Sequence, residues 1–372
     1  MQPVESPPEQ YRTDGRGGSH RMAMFHLTSK CNITCDYCYA RENAKLDLPV
    51  WDAYEAEPMV RALAANGYRV SLGGGEPTFV PERMVPLLEL CSQYGIPSGV
   101  LTNGRLLDEP MLRVLKDKDC RHVQVSVDHR RDVELLRPAF EIGASMGLPM
   151  AAGSVLDARD FQDMFSIYHM LRDTGAAAWR ILKRTTFGRH GVGRGNVPED
   201  RWRATMLRLE EHIRDAPPDF QIRYEPGLVP LCWYQSLTEF DRPSECGARI
   251  NKRLFIYPVG AVYSCGLPRS HAFFVGNYRR DRVRVEDRLR VTPQWAKFNI
   301  VDNGHSHCVN TCSGGCLQYR YDSCDSRCQI ENGLISICCY EKLPLDVHDP
   351  AQEKFLPSRI YADFLNTGEV PA

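Results

Sequence analysis

Three cysteines crowd into one short stretch, Cys31-Asn32-Ile33-Thr34-Cys35-Asp36-Tyr37-Cys38, with the spacing C-x3-C-x2-C. Thiolates at that density hold metal, and a [4Fe–4S] cube bound by three of them keeps one iron open to a small molecule. A closed site with four cysteine ligands would store or pass electrons instead. The spacing differs from the C-x2-C pairs of zinc ribbons, and the stretch contains neither a partner pair nor histidines to close a tetrahedral zinc site. Taken alone, it could still be a zinc half-site or a structural knot.

Four further stretches could serve a bound ligand. Gly73-Gly74-Gly75-Glu76-Pro77 follows a short apolar run, and glycines there let backbone approach a charged amino acid moiety closely. The bland reading is a turn. Leu101-Thr102-Asn103-Gly104 and Ser126-Val127-Asp128 end two more apolar runs. They offer polar groups to a ligand, or else an ordinary Asn-Gly turn and a helix cap. Arg180 opens the basic run Arg180-Ile181-Leu182-Lys183-Arg184, where an arginine can grip a carboxylate with two parallel bonds or simply sit on a solvated edge.

The elements that must position these residues alternate strand and helix. Met22–Leu27, Val70–Leu72, Gly99–Thr102, His122–Val127, Met150–Leu156 and Ala178–Leu182 read as strands. Between them, 52–66, 81–94, 108–118, 131–146 and 159–174 have helical length and spacing. That rhythm predicts a parallel sheet with crossover helices, a partial (β/α)6 barrel whose ligand loops lie at the C-terminal strand ends. The cysteine loop sits at one such end. The glycine- and arginine-rich run 188–196 lacks the order of a phosphate loop and reads as a connection out of the barrel. A helix is expected from Pro198 to about Arg214, stopped by Pro217-Pro218. Farther on, Phe255-Ile256-Tyr257-Pro258-Val259-Gly260-Ala261-Val262-Tyr263 reads as a hairpin, with Cys246 before it and Cys265 at its far end.

At 372 residues and 43% hydrophobic content the chain can build a sizeable core. Its 46 basic and 47 acidic residues leave a charge of −1, which supports neither a nucleic acid nor a membrane partner. With no membrane-length apolar run and a polar start, the expected location is the cytoplasm, where fifteen cysteines are better read as metal ligands than as disulfides. The expected domains are a flexible segment 1–20, a barrel 21–197, a helical connection 198–240, a cysteine-rich extension 241–345 and a tail 346–372.

Together, C-x3-C-x2-C with Tyr37 before its last cysteine and the Gly-Gly-Glu-Pro run resemble the radical SAM superfamily. The resemblance implies that Cys31, Cys35 and Cys38 hold a [4Fe–4S] cluster whose open iron is chelated by S-adenosylmethionine (SAM), cleaved to a 5′-deoxyadenosyl radical. It implies SAM contacts from Tyr37, Gly74, Gly75, Glu76 and Pro77, with Asn103, Ser126, Asp128 and Arg180 presenting further polar groups. The later cysteines resemble the SPASM extension of that superfamily: Cys246, Gly260 and Cys265 match its opening, and Cys312-Ser313-Gly314-Gly315-Cys316 its C-x-G-G-C element. By that resemblance Cys246, Cys265, Cys308, Cys312, Cys316, Cys324, Cys328 and Cys338 would hold two auxiliary [4Fe–4S] clusters. The extra Cys324 and Cys328 pair departs from the usual run and leaves the pairing of ligands open, and thiolate geometry alone also permits zinc.

The resemblance implies a peptide maturase that oxidatively modifies a ribosomally made precursor peptide by crosslinking, rearrangement or excision. Only about 20 residues precede the first strand, too few for a folded leader-binding domain, so a peptide substrate is expected to need either a separate leader-binding protein or direct docking on the barrel, along with a low-potential electron donor. The alternatives are a dehydrogenase or epimerase of a small polar metabolite such as an aminocyclitol, and a non-catalytic iron–sulfur or zinc module.

Overall fold

A computed structural model describes residues 21–35, 38, 50–156, 163–183, most positions from 204 to 224, 253–264 and 274–289. Among these, β1 (Arg21–Thr28), β2 (Tyr68–Gly74), β3 (Ser98–Thr102), β4 (Cys120–Ser126), β5 (Met150–Leu156) and β6 (Ala178–Lys183) run parallel in chain order. Crossover helices α1 (Ala53–Ala65), α2 (Pro81–Gln93), α3 (Glu109–Asp117), α4 (Arg130–Ser145) and α5 (Met164–Asp173) join them. The expected six-unit parallel barrel is present, each strand within two residues of its predicted start.

Local chemistry sets the boundaries. Asp52 accepts the Glu55 N–H at 2.8 Å and Asp108 the Met111 N–H at 2.9 Å, capping α1 and α3 with otherwise orphaned donors. Pro81 opens α2, where a missing N–H costs nothing. After α3 the chain turns back through Asp119 at φ 57°, in the left-handed region that short polar residues tolerate.

Alternation divides each strand between two faces. Ala23, Phe25 and Leu27 of β1, with Val70, Val100, Val123 and Trp179, are buried against Met59, Leu63, Leu88, Leu112 and Phe140 of the helices. The polar atoms on this face have partners: the Trp179 indole donates to Ser154 Oγ at 2.9 Å, and that hydroxyl donates to the Val127 carbonyl. The opposite row faces the barrel interior. There Gly99 sits where a Cβ would fall 2.2 Å from the His122 ring, and Gly153 where one would fall 2.7 Å from the Gln124 amide. Both glycines make room for the neighbouring strand's polar side chain to lie across the interior.

The sheet goes further than six strands. β7 (Gln221–Tyr224) pairs parallel with β6, so the stretch expected to be a helical connection also carries a strand; its described positions between 204 and 215 are helical, as expected. The predicted hairpin forms as β8 (Arg253–Ile256) and β9 (Ala261–Tyr263), turning at Gly260 with φ 87°. It is not separate from the barrel: β8 pairs parallel with β1, and β10 (Phe274–Asn277) follows β9, giving one ten-stranded sheet in the order β10-β9-β8-β1-β2-β3-β4-β5-β6-β7. The barrel's first strand needs a neighbour on its free edge, and the hairpin supplies it. A short helix, α6 (Arg282–Arg288), follows β10.

The hairpin is fastened to α1 as well. The Trp51 indole donates to the Tyr257 carbonyl at 2.9 Å, and the Arg279 guanidinium lies 4.3 Å from the Trp51 ring while both its Nη atoms reach the Glu55 carboxylate, at 3.1 and 2.9 Å.

Candidate active site

The cysteine loop leaves β1 at the C-terminal edge of the sheet, beside the ends of β2 and β3. Cys31, Cys35 and Cys38 are half-buried and none is in a disulfide. The Cys38 N–H donates to the Cys35 carbonyl at 3.4 Å, turning the loop between these two thiols. Burial, the largest cause, and the Glu76 charge push the Cys31 thiol above its ordinary pKa, against hydrogen bonds from Ile33 and Asn103 that lower it. A metal must therefore displace its proton.

Cys91 and Cys120 contrast with this set. Both are buried in the core, where burial pushes their thiols up to about 12, and both are spectators.

The Gly-Gly-Glu-Pro turn is fastened to the cysteine loop through backbone. Gly75 N–H donates to the Thr28 carbonyl and Glu76 N–H to the Lys30 carbonyl, each at 2.7 Å. Only glycine fits there: a Cβ on Gly75 would fall 2.0 Å from the Lys30 carbonyl oxygen, and Gly74 holds φ 120° with Thr28 O 2.5 Å from where its Cβ would be. Pro77 starts a short 3-10 turn, Pro77–Phe79, behind it.

Glu76 is 1% exposed and its carboxylate faces inward. Oε1 accepts from Thr78 N at 3.1 Å, Thr78 Oγ1 at 2.6 Å and Thr102 Oγ1 at 2.7 Å; Oε2 accepts from Asn103 N at 2.7 Å. Its side chain thus ties the β2 end to the β3 end.

Asn103 continues the link. Its N–H goes to Glu76, its Oδ1 accepts the Arg105 N–H at 2.9 Å, and its Nδ2 donates to Asn32 Oδ1 at 2.7 Å and toward Cys31 Sγ at 3.8 Å. Arg105 in turn pairs with the buried Asp132 at 2.7 Å, whose other oxygen accepts the His129 N–H at the start of α4. Cys31, Gly75, Glu76 and Asn103 therefore form one connected assembly.

The other expected residues lie on the far side of the barrel mouth. Ser126, exposed at the end of β4, is in register with Gly153, and Gly153 with the half-buried Arg180. Across two strand spacings, about 10 Å, a hydroxyl and a guanidinium thus flank a glycine floor. Asp128 is buried, with Oδ1 accepting the Val155 N–H at 2.7 Å, so that oxygen organises the β4–β5 loop as a capping residue would. Tyr37 and the eight C-terminal cysteines Cys246, Cys265, Cys308, Cys312, Cys316, Cys324, Cys328 and Cys338 lie outside the described residues.

One part of the site is absent from the sequence reading. His26, 2% exposed, shares its β1 face with Thr28 and stacks on Tyr257 at 4.5 Å, and Tyr257 meets Tyr263 edge-on at 5.8 Å. The hairpin thereby gives the interior an aromatic wall. The only sequence signal was the aromatic content of the hairpin, without any sign that it joins β1.

The donor set fits an iron–sulfur cube. Three accessible thiols occupy one loop held against a glycine turn. Among the described residues no three His, Cys, Asp or Glu side chains converge to hold a single ion.

Residues 25–143 match the family model described as the radical SAM superfamily. The chain is 23% identical over 260 residues to a PqqA peptide cyclase of Gluconobacter oxydans (strain 621H), covering 65% of this chain and 69% of that protein. Its fold is similar to the crystal structure of Streptococcus suis SuiB bound to precursor peptide SuiA, with TM-score 0.61, 14% identity, and coverage of 82% of this chain and 74% of that one. It is also similar to native anSMEcpe with bound AdoMet and Cp18Cys peptide, with TM-score 0.64, 16% identity, and coverage of 93% and 98%. With their three-thiol loop, their glycine turn and their parallel barrel, residues 25–143 form a radical SAM domain, a family whose cofactors are a [4Fe–4S] cluster and SAM.

Proposed function

We propose that this chain is a radical SAM peptide maturase with a SPASM-type extension. Cys31, Cys35 and Cys38 hold the SAM-cleaving cluster, which when bound supplies the electron for reductive cleavage of SAM. The observation that carries the reading is the fastening of the glycine turn to the cysteine loop. The Gly75 and Glu76 amides are engaged by Thr28 and Lys30, and the Glu76 and Pro77 carbonyls by the Phe79 and Val80 N–H groups, so in this reading a glycine carbonyl of the turn receives the ammonium group of SAM. Ser126 and Arg180, flanking Gly153, offer a hydroxyl and a cation suited to a ribose and a carboxylate.

Gly99 and Gly153 let the His122 and Gln124 side chains lie across the barrel interior as amide-matching polar groups, and His26 with Tyr257 forms an aromatic wall beside it that helps keep water from a reactive radical. Such a mixed surface suits a peptide side chain with its backbone. The named relative is a peptide cyclase, and both fold neighbours are described with bound peptides. The cysteines from Cys246 to Cys338 hold two auxiliary clusters in this reading, in an extension whose opening hairpin, β8 and β9, is built onto the barrel's own sheet.

The test is anaerobic reconstitution with iron and sulfide, followed by SAM, a strong reductant and candidate precursor peptides. About twelve irons per chain, 5′-deoxyadenosine, and a peptide that loses hydrogen by mass spectrometry are expected. Deoxyadenosine formed with a free small metabolite turned over and every peptide unchanged would overturn the peptide assignment.

A further inference from the structure

We propose that Asn103 is a positioning residue that raises the reduction potential of the cluster bound at Cys31, through an N–H···S hydrogen bond from its side-chain amide. This rests on the cluster occupying Cys31, Cys35 and Cys38.

The geometry has three parts. First, the amide is oriented by its neighbours: Oδ1 accepts the Arg105 N–H at 2.9 Å, which leaves Nδ2 to face Asn32 Oδ1 at 2.7 Å and Cys31 Sγ at 3.8 Å. A flipped amide would set oxygen against oxygen at Asn32 and nitrogen against an N–H at Arg105. Second, the residue cannot drift. Its N–H is held by Glu76 Oε2 at 2.7 Å, and Arg105 is anchored to the buried Asp132. Third, Asn103 is 9% exposed, so the N–H dipole acts on the sulfur with little screening from water.

The consequence follows from charge. A low-potential one-electron donor gives up one electron, the cluster passes from its 2+ to its 1+ state, and no proton accompanies the electron. The added negative charge spreads onto the thiolate sulfurs, where a donor N–H stabilises the reduced state more than the oxidised one. Hydrogen bonds to sulfur are among the factors that set such potentials. The Glu76 carboxylate next to the same loop acts in the opposite sense, and Asn103 stands between that charge and the sulfur. Asn103 thus eases electron entry at the cluster that must be reduced, while Glu76, whose charge is taken up by Thr78, Thr102 and Asn103, holds the loops together.

The experiment is an EPR-monitored redox titration of the reconstituted full chain. It follows the component whose signal changes when SAM is added at the end point, which separates this cluster from any auxiliary one. Asn103→Ala is expected to reduce the ratio of reduced to oxidised cluster at fixed potential about tenfold, equivalent to about 59 mV for one electron. Asn103→Asp, which also adds charge, is expected to lower it further. Thr102→Val loosens the same loop and keeps the amide; its midpoint is expected to match the wild type even if iron content falls. An unchanged midpoint in Asn103→Ala, or an equal shift in Thr102→Val, would overturn the proposal.

Should Asn103→Ala take up no cluster, pulsed EPR on Asn32→Asp protein with asparagine labelled by 15N at the side chain decides. That substitution keeps an acceptor for Asn103 and leaves its amide as the label beside Cys31. Resolved 15N coupling supports the bond, and none overturns it. No SAM-responsive signal in the wild type would instead refute the cluster assignment itself.

Discussion

Glu76→Gln isolates the charge of one buried carboxylate at almost constant volume. The carboxylate accepts four hydrogen bonds, three on one oxygen and one on the other. A glutamine has one acceptor oxygen. If it faces Thr78 and Thr102, its NH2 meets the Asn103 N–H, donor against donor; if it faces Asn103, three donors lose their acceptor, although the two hydroxyls can rotate. The first arrangement is cheaper. It leaves a buried backbone donor unsatisfied, at about 1–3 kcal/mol, and weakens three charge-assisted bonds to neutral ones. The expected loss is about 3 kcal/mol, or a fall in Tm of about 6–12 °C for a domain of this size.

Thermal unfolding under anaerobic conditions, with and without reconstituted iron, measures it. Thr102→Val removes one of the same bonds and the acceptor of the Gly104 N–H, 2.9 Å away. The two changes should therefore combine to less than their sum. A loss below about 1 kcal/mol in Glu76→Gln, or strict additivity with Thr102→Val, would refute the claim that this carboxylate joins the ends of β2 and β3.

Arg279→Ala removes a guanidinium from the Trp51 ring and from Glu55, and with that pair partly exposed the expected cost is about 1 kcal/mol. Hydrogen exchange should show it as faster opening of β8 to β10 than of β3 to β5. His169 on α5 faces His212 at 2.9 Å, with Phe165 and Tyr168 around the pair, Arg172 and Asp173 on the same helix, and Arg208 over Phe165. Burial first, then the His212 and Arg172 charges, lower the His169 pKa from the usual histidine value. The unfolded chain consequently binds the proton more readily than the folded one, so stability is complete above about pH 6.5 and declines as pH falls toward the depressed folded value. Tm measured from pH 7.5 down to 5.5 should fall more in the wild type than in His169→Gln, and equal slopes would contradict it.

Much of this was legible in the chain. The six strands and five helices could be read because apolar alternation and aspartate caps are local signals, visible within a few residues of Asp52 or Asp108. The three-cysteine loop and the glycine turn were legible because their chemistry is in their spacing. What holds them together was not. No local pattern shows that Glu76 accepts from Thr102 and Asn103 of another strand, or that Asp128 accepts the Val155 N–H. The hairpin was legible as a hairpin, since Pro258-Val259-Gly260 is a turn signal, but its pairing with β1 joins residues 22–25 to 253–256, and no local pattern encodes that register.

That pairing also bears on how the protein is made. During synthesis β1 emerges early, yet its partner on one side follows more than two hundred residues later, since Met22 pairs with Arg253. Until then the nascent chain carries a sheet edge with open hydrogen-bonding groups, and the Trp51 indole lacks the Tyr257 carbonyl that receives its proton. A fragment cut after β6 keeps both deficits permanently. The smallest piece of this chain able to close that edge extends through the hairpin, and contacts of such long range make its completion one of the slow steps in folding.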